Sequence, residues 1–224
     1  MTDAASDIVA SVDGTSSSIG YYSNVRSEIL ELIPTAARRL LDVGCGFGAM
    51  GAEAKRRGVV SVYGIEINEH AAQQARKVLD DVVVGNVEHL EIPWAGFDCI
   101  VCADVLEHLA NPWQALRRLR DHLAPSGMVI ASVPNVAQHH VVRQLVAGRF
   151  DYVNSGILDR THLRFFTKST IEKMFSDCGY GVASVNELRG ETWKDKLLRV
   201  ASLGRLSHLT VGQYLVIAVP HPTR

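Results

Sequence analysis

The feature that most constrains the fold lies at Leu40-Leu-Asp-Val-Gly-Cys-Gly-Phe-Gly48, where an apolar run passes into three glycines at alternate positions and then into helix-forming residues. A strand must end there, because glycine gives an extended segment no side chain to pack and readily adopts positive φ. The same change of period recurs along the chain. Strands are expected at Arg39–Val43, Ser61–Glu66, Val82–Val84, Phe97–Cys102 and Met128–Val133, with helices at about Met50–Arg57, Glu69–Leu79 and Trp113–Leu123. Strands alternating with helices imply parallel pairing through right-handed crossovers, hence an open, doubly wound α/β sheet.

The flanks are read in the same way. Residues 1–19, rich in Ser, Ala, Asp and Thr, are expected to form a flexible N-terminal arm ahead of one domain over 20–224. A lead-in helix is predicted from Tyr22 to Ile33, closed by Pro34. Beyond Pro134 a helix at about Ala137–Val146 leads to an irregular stretch ending at Phe166, so 135–166 is taken as the substrate-specificity segment. The next helix opens at Thr167 or at the pair Ser169 and Glu172. Two last strands, Tyr180–Asn186 and Gln213–Val219, flank a helical insertion at about 190–209, with its helix over Trp193–Leu203.

Composition narrows the function. With 23 basic and 24 acidic residues the formal charge is −1, so no global attraction to a phosphate backbone exists and nucleic acid is not expected as a partner. No apolar run approaches the roughly eighteen residues of a membrane span, and Met1–Ile19 lacks a signal-type start, so no stable membrane insertion and a cytoplasmic location are expected. Four cysteines make no disulfide framework, and Cys99-Ile-Val-Cys102, lying within an apolar strand, is read as two small buried hydrophobes.

The glycine loop opens where such sheets bind ligands, outside the carboxyl ends of the strands. Gly46-Phe-Gly-Ala-Met-Gly51 also matches the GxGxxG of dinucleotide-binding proteins, so charge must discriminate. Glu66 ends the second strand, where a carboxylate accepts both hydroxyls of an adenosine ribose. Asp42, two residues before the first glycine, would repel a diphosphate and attract an ammonium.

These residues resemble the class I S-adenosylmethionine-dependent methyltransferases, and further segments agree in order over about Tyr21–Pro220. Leu40–Gly48 resembles the family's first motif, Val62–Ile67 its ribose-binding strand, and Gly85-Asn-Val-Glu88 the place where an Asp usually touches adenine. Phe97–Leu109 resembles the fourth-strand motif and Leu123-Ala-Pro-Ser-Gly-Met128 the turn into the fifth strand. The resemblance implies a single-domain, Rossmann-like, seven-stranded, mostly parallel sheet whose final strand is antiparallel. It implies S-adenosylmethionine as cofactor, leaving as S-adenosylhomocysteine, held by Asp42, Gly44, Gly46, Gly48, Glu66, Ile67, Asn86, Val87 and Asp104, with Tyr22 and Arg26 in a helix over it. Asn86 departs from the usual Asp, and its residue type equally suits a turn.

Methyl transfer from a sulfonium is an in-line displacement that relies on alignment, but an alcohol acceptor also needs a base, for which histidine is suited near neutrality. Of nine histidines, His162 and His139 are the expected bases, with Asp159 orienting a histidine or contacting substrate. His108 reads as a pocket wall. No compact His and carboxylate set flags a metal beside the fourth strand. Ser132–Val136 and Asp159–Thr167 resemble a bacterial subgroup associated with glycan pathways, which points to a small-molecule acceptor such as a sugar; quinone precursors, carboxylates and polyketides are the alternatives. A nicotinamide-dependent oxidoreductase and a non-catalytic cofactor-binding subunit are the rivals of different class, and a monomer or homodimer is expected. Lys194–Leu209, with Leu197, Leu198, Leu203 and Leu206 among Lys194, Lys196, Arg199 and Arg205, suits an ordinary packed helix, a pocket cover or a membrane surface.

Overall fold

The computed structural model describes residues 25–189 and 192–221. The expected arm and Tyr22 lie outside the described residues. The lead-in helix is a single turn, α1 (Ser27–Leu30). Among the described residues seven strands, β1 (Arg39–Val43), β2 (Ser61–Glu66), β3 (Asp81–Val84), β4 (Phe97–Ala103), β5 (Leu123–Pro134), β6 (Tyr180–Arg189) and β7 (Val211–Pro220), form one mostly parallel α/β sheet in the order β3-β2-β1-β4-β5-β7-β6, and the expected Rossmann-like architecture with an antiparallel final strand is present. The chain clusters into two compact units, Met1–Ala103 with Arg118–Ile130, and Asp104–Arg117 with Ala131–Arg224.

In the first unit, β1 (Arg39–Val43) pairs in parallel with β2 (Ser61–Glu66) and with β4 (Phe97–Ala103), and β2 pairs in parallel with β3 (Asp81–Val84). Leu40, Leu41, Val62, Ile65, Phe97, Ile100 and Val101 are buried, which makes these strands near-continuous apolar runs, as a sheet covered on both faces requires. Helix α2 (Ala49–Arg56) follows the glycine loop, and α3 (Glu69–Ala75) follows β2, opened by Asn68, whose Oδ1 accepts from the Ala71 amide at 3.0 Å. Gly51, third glycine of the motif, is a packing residue: a Cβ there would lie 2.6 Å from Leu79 Cδ2 and 2.8 Å from Val62 Cγ1. Cys99 and Cys102 are buried, so the CxxC is core.

Two acids pin strand starts at the sheet's amino edge. Asp98 Oδ2 accepts from the amides of Arg38 and Arg39 at 2.8 and 3.0 Å, and Asp80 Oδ2 accepts from the Val62 amide at 2.7 Å.

Helix α4 (Pro112–Arg120) and β5 (Leu123–Pro134) each contribute residues to both units. The second unit holds α5 (His139–Val146), α6 (Lys168–Asp177), β6 (Tyr180–Arg189), α7 (Trp193–Ala201) and β7 (Val211–Pro220). β6 and β7 are antiparallel, in register from Tyr180↔Pro220 to Arg189↔Val211. Thr167 is the N-cap of α6, its amide donating to Thr170 Oγ1 at 2.9 Å, so Thr170 fills the place expected for Glu172. Among the described residues no helix is long and apolar enough to cross a membrane.

The clearest boundary difference is β5, which starts five residues before the expected Met128, with Leu123-Ala-Pro-Ser-Gly extended rather than turned. The residue before a proline is biased toward extended backbone, and Gly127 lets this stretch lie against β4: a Cβ there would sit 2.4 Å from the Phe97 carbonyl oxygen and 3.0 Å from that of Ala124. Backbone oxygens cannot swing aside. Gly127→Ala is therefore expected to destabilise the fold by about 1–3 kcal/mol, read as a lower urea midpoint; an unchanged midpoint would show that the two strands separate without cost.

Candidate functional site

Parallel pairing places the carboxyl ends of β1 and β2 side by side, with Asp42 opposite Gly64 and Val43 opposite Ile65. Two acids meet there, both nearly enclosed: Asp42 is 2% exposed and Glu66 5%. Glu66 is fixed from both sides, Oε2 accepting from the Gly46 amide at 2.9 Å and Oε1 from the Asn68 amide at 2.9 Å. Gly46, at φ 54°, takes the left-handed turn that aims its N–H at this carboxylate.

Asp42 is different. Its Oδ2 is buried and accepts no hydrogen bond from the described residues, in contrast to the paired Asp80 and Asp98 at the other edge. Burial, reinforced by the charge of Glu66, pushes the Asp42 carboxyl up to about 8. Burial also raises Glu66, opposed by the amides of Asn68, Gly46 and Ile67 that favour its charged form. A buried acid with one orphaned carboxylate oxygen, beside a second acid, fits a ligand that brings an ammonium and hydroxyl donors. In its charged form this pair would repel a diphosphate.

Around this pair the other expected cofactor residues divide. Gly44 and Gly48 take positive φ (72° and 82°), and the exposed Ile67 follows Glu66 directly. Val87 is buried beside Asn86, whose Oδ1 accepts from the Glu88 amide at 2.9 Å and whose Nδ2 donates to Glu88 Oε2 at 3.3 Å. Asn86 thus closes a turn. Arg26 is ion-paired to Glu28, Nε to Oε1 at 2.5 Å.

In the second unit, Asp104 immediately follows β4 with φ 54°, an uncommon conformation for a residue bearing a Cβ. It is held there by Ser132, whose Oγ accepts from the Asp104 amide at 2.9 Å and donates to Oδ1 at 2.8 Å, and by Gln213, whose Nε2 donates to the same oxygen. Neither Ser132 nor Gln213 carries a local signal of this role.

The histidines are sorted by contacts within the same unit. His162 is buried, its Nδ1 2.9 Å from the Ile157 carbonyl oxygen. His108 has Nδ1 3.2 Å from the Thr161 carbonyl oxygen, and the two rings meet edge to face at 4.7 Å. A neutral imidazole that donates from Nδ1 carries its lone pair on Nε2. Glu107 completes the group: one ligand atom from each of Glu107, His108 and His162 lies within 4.8 Å of the others. Sequence spacing showed no compact set here because His162 comes from a distant loop, whose Leu163 and Arg164 amides donate to the Glu107 carbonyl oxygen at 2.8 and 3.0 Å. Two imidazoles and a carboxylate can share a proton or ligate a divalent cation. Burial and the neighbouring His162 push the His108 imidazole below its ordinary range.

Asp159 contacts neither histidine ring through a hydrogen bond in this structure; its Oδ1 accepts from Thr161 N at 2.8 Å and Thr161 Oγ1 at 2.6 Å, and so shapes the loop that carries His162. His139, on α5, faces the Leu209 carbonyl oxygen at 3.3 Å and Asp195 Oδ1 at 3.5 Å. Phe165 forms an aromatic cluster with Phe150 and Tyr152 at 5.3 and 6.4 Å, and Phe166 is core.

Residues 20–185 match the methyltransferase domain family. A ubiquinone biosynthesis O-methyltransferase of Acinetobacter baylyi is 30% identical over 135 residues, covering 52% of this chain and 56% of that protein. The corresponding protein of Xanthomonas axonopodis pv. citri is 26% identical over 92% of this chain and 87% of its own length. A crystal structure of a SAM-dependent methyltransferase from Archaeoglobus fulgidus, 18% identical, superposes with a TM-score of 0.64 over 89% of this chain and 96% of that one. The chain belongs to the methyltransferase domain family, whose cofactor is S-adenosylmethionine, and its sheet has the class I methyltransferase fold.

Proposed function

We propose that the chain methylates a hydroxyl oxygen of a small-molecule acceptor, a phenolic hydroxyl of the quinone-precursor kind, with His162 accepting the proton. The observation that carries this reading is the convergence of Glu107, His108 and His162. When bound, S-adenosylmethionine supplies an electrophilic methyl group on a sulfonium. Asp42 receives its ammonium and Glu66 its ribose hydroxyls, while the Gly44–Gly48 loop leaves space for the ligand at the strand ends. Ile67 and Val87 give apolar surface to the adenine base, and Asp104, fixed by Ser132 and Gln213, takes the part that the family resemblance assigns to the acid after the fourth strand.

The acceptor class follows from proton affinity. A phenol, with a pKa of about 10, surrenders its proton to an imidazole far more readily than an aliphatic alcohol does. His108, kept neutral by burial, lies beside His162 to share the proton once it is taken. The names of the curated relatives support the quinone-type acceptor, and the sugar hydroxyl expected from the sequence becomes the second arm of the test. Asp159 acts as a positioning residue through Thr161. His139, tied to Leu209 and Asp195, is the competing base.

A labelled-methyl assay on a panel of dihydroxylated aromatic acids, quinols and sugars is expected to give turnover on the phenolic members. His162→Gln is expected to lower kcat by about 10²–10⁴ with calorimetric cofactor affinity retained, whereas His139→Ala keeps turnover within a few fold. Full turnover in the His162 variant would remove it as base; tight S-adenosylhomocysteine binding with no acceptor methylated would favour a non-catalytic subunit.

Asp42 generates a pH prediction. Its carboxyl keeps a proton to about pH 8 in the folded chain but only to 3.8 as a free side chain, so the ligand-free fold loses stability as pH rises through that interval. Binding an ammonium requires the charged form, so cofactor binding should release a proton at pH 7 and none at pH 9, with affinity rising toward pH 8. Asp42→Asn is expected to abolish that release, weaken binding by roughly tenfold or more, and leave the ligand-free melting temperature at pH 9 equal or higher. Titrations in buffers of different ionisation enthalpy check the first point, and pH-independent binding by the native chain would contradict it.

A further inference from the structure

Helix α7 is amphipathic the wrong way round for a helix that only packs. Its single acid, Asp195, is 2% exposed and accepts from Thr192 Oγ1 at 2.5 Å and from the Thr192 amide at 3.1 Å, with His139 Nδ1 3.5 Å from its other oxygen. Asp195 therefore lies on the covered side of the helix. Trp193, Leu197 and Val200, spaced four and three residues apart, fall within an arc of about 60° at 100° per residue, on the side opposite Asp195. They are 69%, 57% and 73% exposed, and Leu203 and Leu206 extend the apolar surface past the helix end. An ordinary surface helix buries that stripe.

The charge around the stripe identifies what covers it. Lys196 and Arg205 are exposed and Arg199 half-buried, while the stretch 192–209 contains no acid besides the buried Asp195. We propose that this face docks on an anionic phospholipid bilayer, Trp193, Leu197, Val200 and Leu203 entering the headgroup boundary and the basic residues meeting lipid phosphates. A tryptophan at the end of such a stripe, with basic residues at its margin, is the composition of an interfacial helix. Two copies of the chain would instead bring like charges together. The near-neutral net charge of −1 makes the attraction local to this segment.

Flotation of the full chain with phosphatidylglycerol-containing and pure phosphatidylcholine vesicles tests the proposal. Binding to the anionic vesicles alone is expected, weakening with salt, with a blue-shifted tryptophan emission that Trp193→Phe removes. Leu197→Ser with Val200→Ser should reduce the bound fraction roughly tenfold or more, and Lys196→Glu with Arg205→Glu should do so through roughly fivefold per basic residue, each with cofactor affinity unchanged. Absence of binding to anionic vesicles, equal binding by either pair of variants, or a lipid-free dimer broken by Leu197→Ser with Val200→Ser would each overturn it, the last by assigning the face to a second copy.

Discussion

The burial of two carboxylates at the head of β1 and β2 is the constraint on which the site depends. Strand pairing fixes Asp42 and Glu66 side by side, and the surrounding apolar strands deny them water. Glu66 is compensated by backbone amides, one of them delivered by the left-handed turn at Gly46. Asp42 is left with an oxygen that no group among the described residues satisfies. Such a carboxyl is costly to keep charged in the ligand-free chain and becomes favourable when a cation arrives. Under the proposed reading the site selects its ligand by sign of charge, through the ionisation of Asp42 that an arriving cation favours.

The second unit supplies a different chemistry. The loop that follows α5 returns past Glu107, and the amides of Leu163 and Arg164 on the Glu107 carbonyl fix His162 against His108. Backbone carbonyls occupy both Nδ1 atoms, leaving basic nitrogens in a group that also holds a carboxylate. That arrangement suits proton transfer, and cation ligation is equally within its donor set. Asp104, the residue after β4 in sequence, is held within the second unit by Ser132 and Gln213, with a backbone conformation maintained at some cost.

Much of this was legible in the sequence for physical reasons. Period and punctuation give the alternating elements, and the sign of Asp42 at a strand end separates the cofactor classes without coordinates. What escaped detection depends on contacts between distant segments. The early start of β5 follows from Gly127 lying against Phe97, which a turn-like Ala-Pro-Ser-Gly string does not announce. Asn86, read as an adenine contact or a turn residue, has its amide engaged by Glu88. Asp159, expected to orient a histidine or contact substrate, bonds Thr161 through Oδ1 on the loop that carries His162, and Glu107 has no sequence signal of its own because His162 reaches it from that distant loop. The apolar stripe of α7 was visible as composition; only burial of Asp195 reveals which side faces out.

The central claim is that the pocket at the strand ends accepts a cationic amino acid joined to adenosine and refuses a pyrophosphate. Calorimetric titration of the native chain with S-adenosylhomocysteine and, separately, with NADH measures this directly. Saturable binding of the first and no detectable heat from the second is the predicted result. Binding of NADH as tight as or tighter than that of S-adenosylhomocysteine would contradict it.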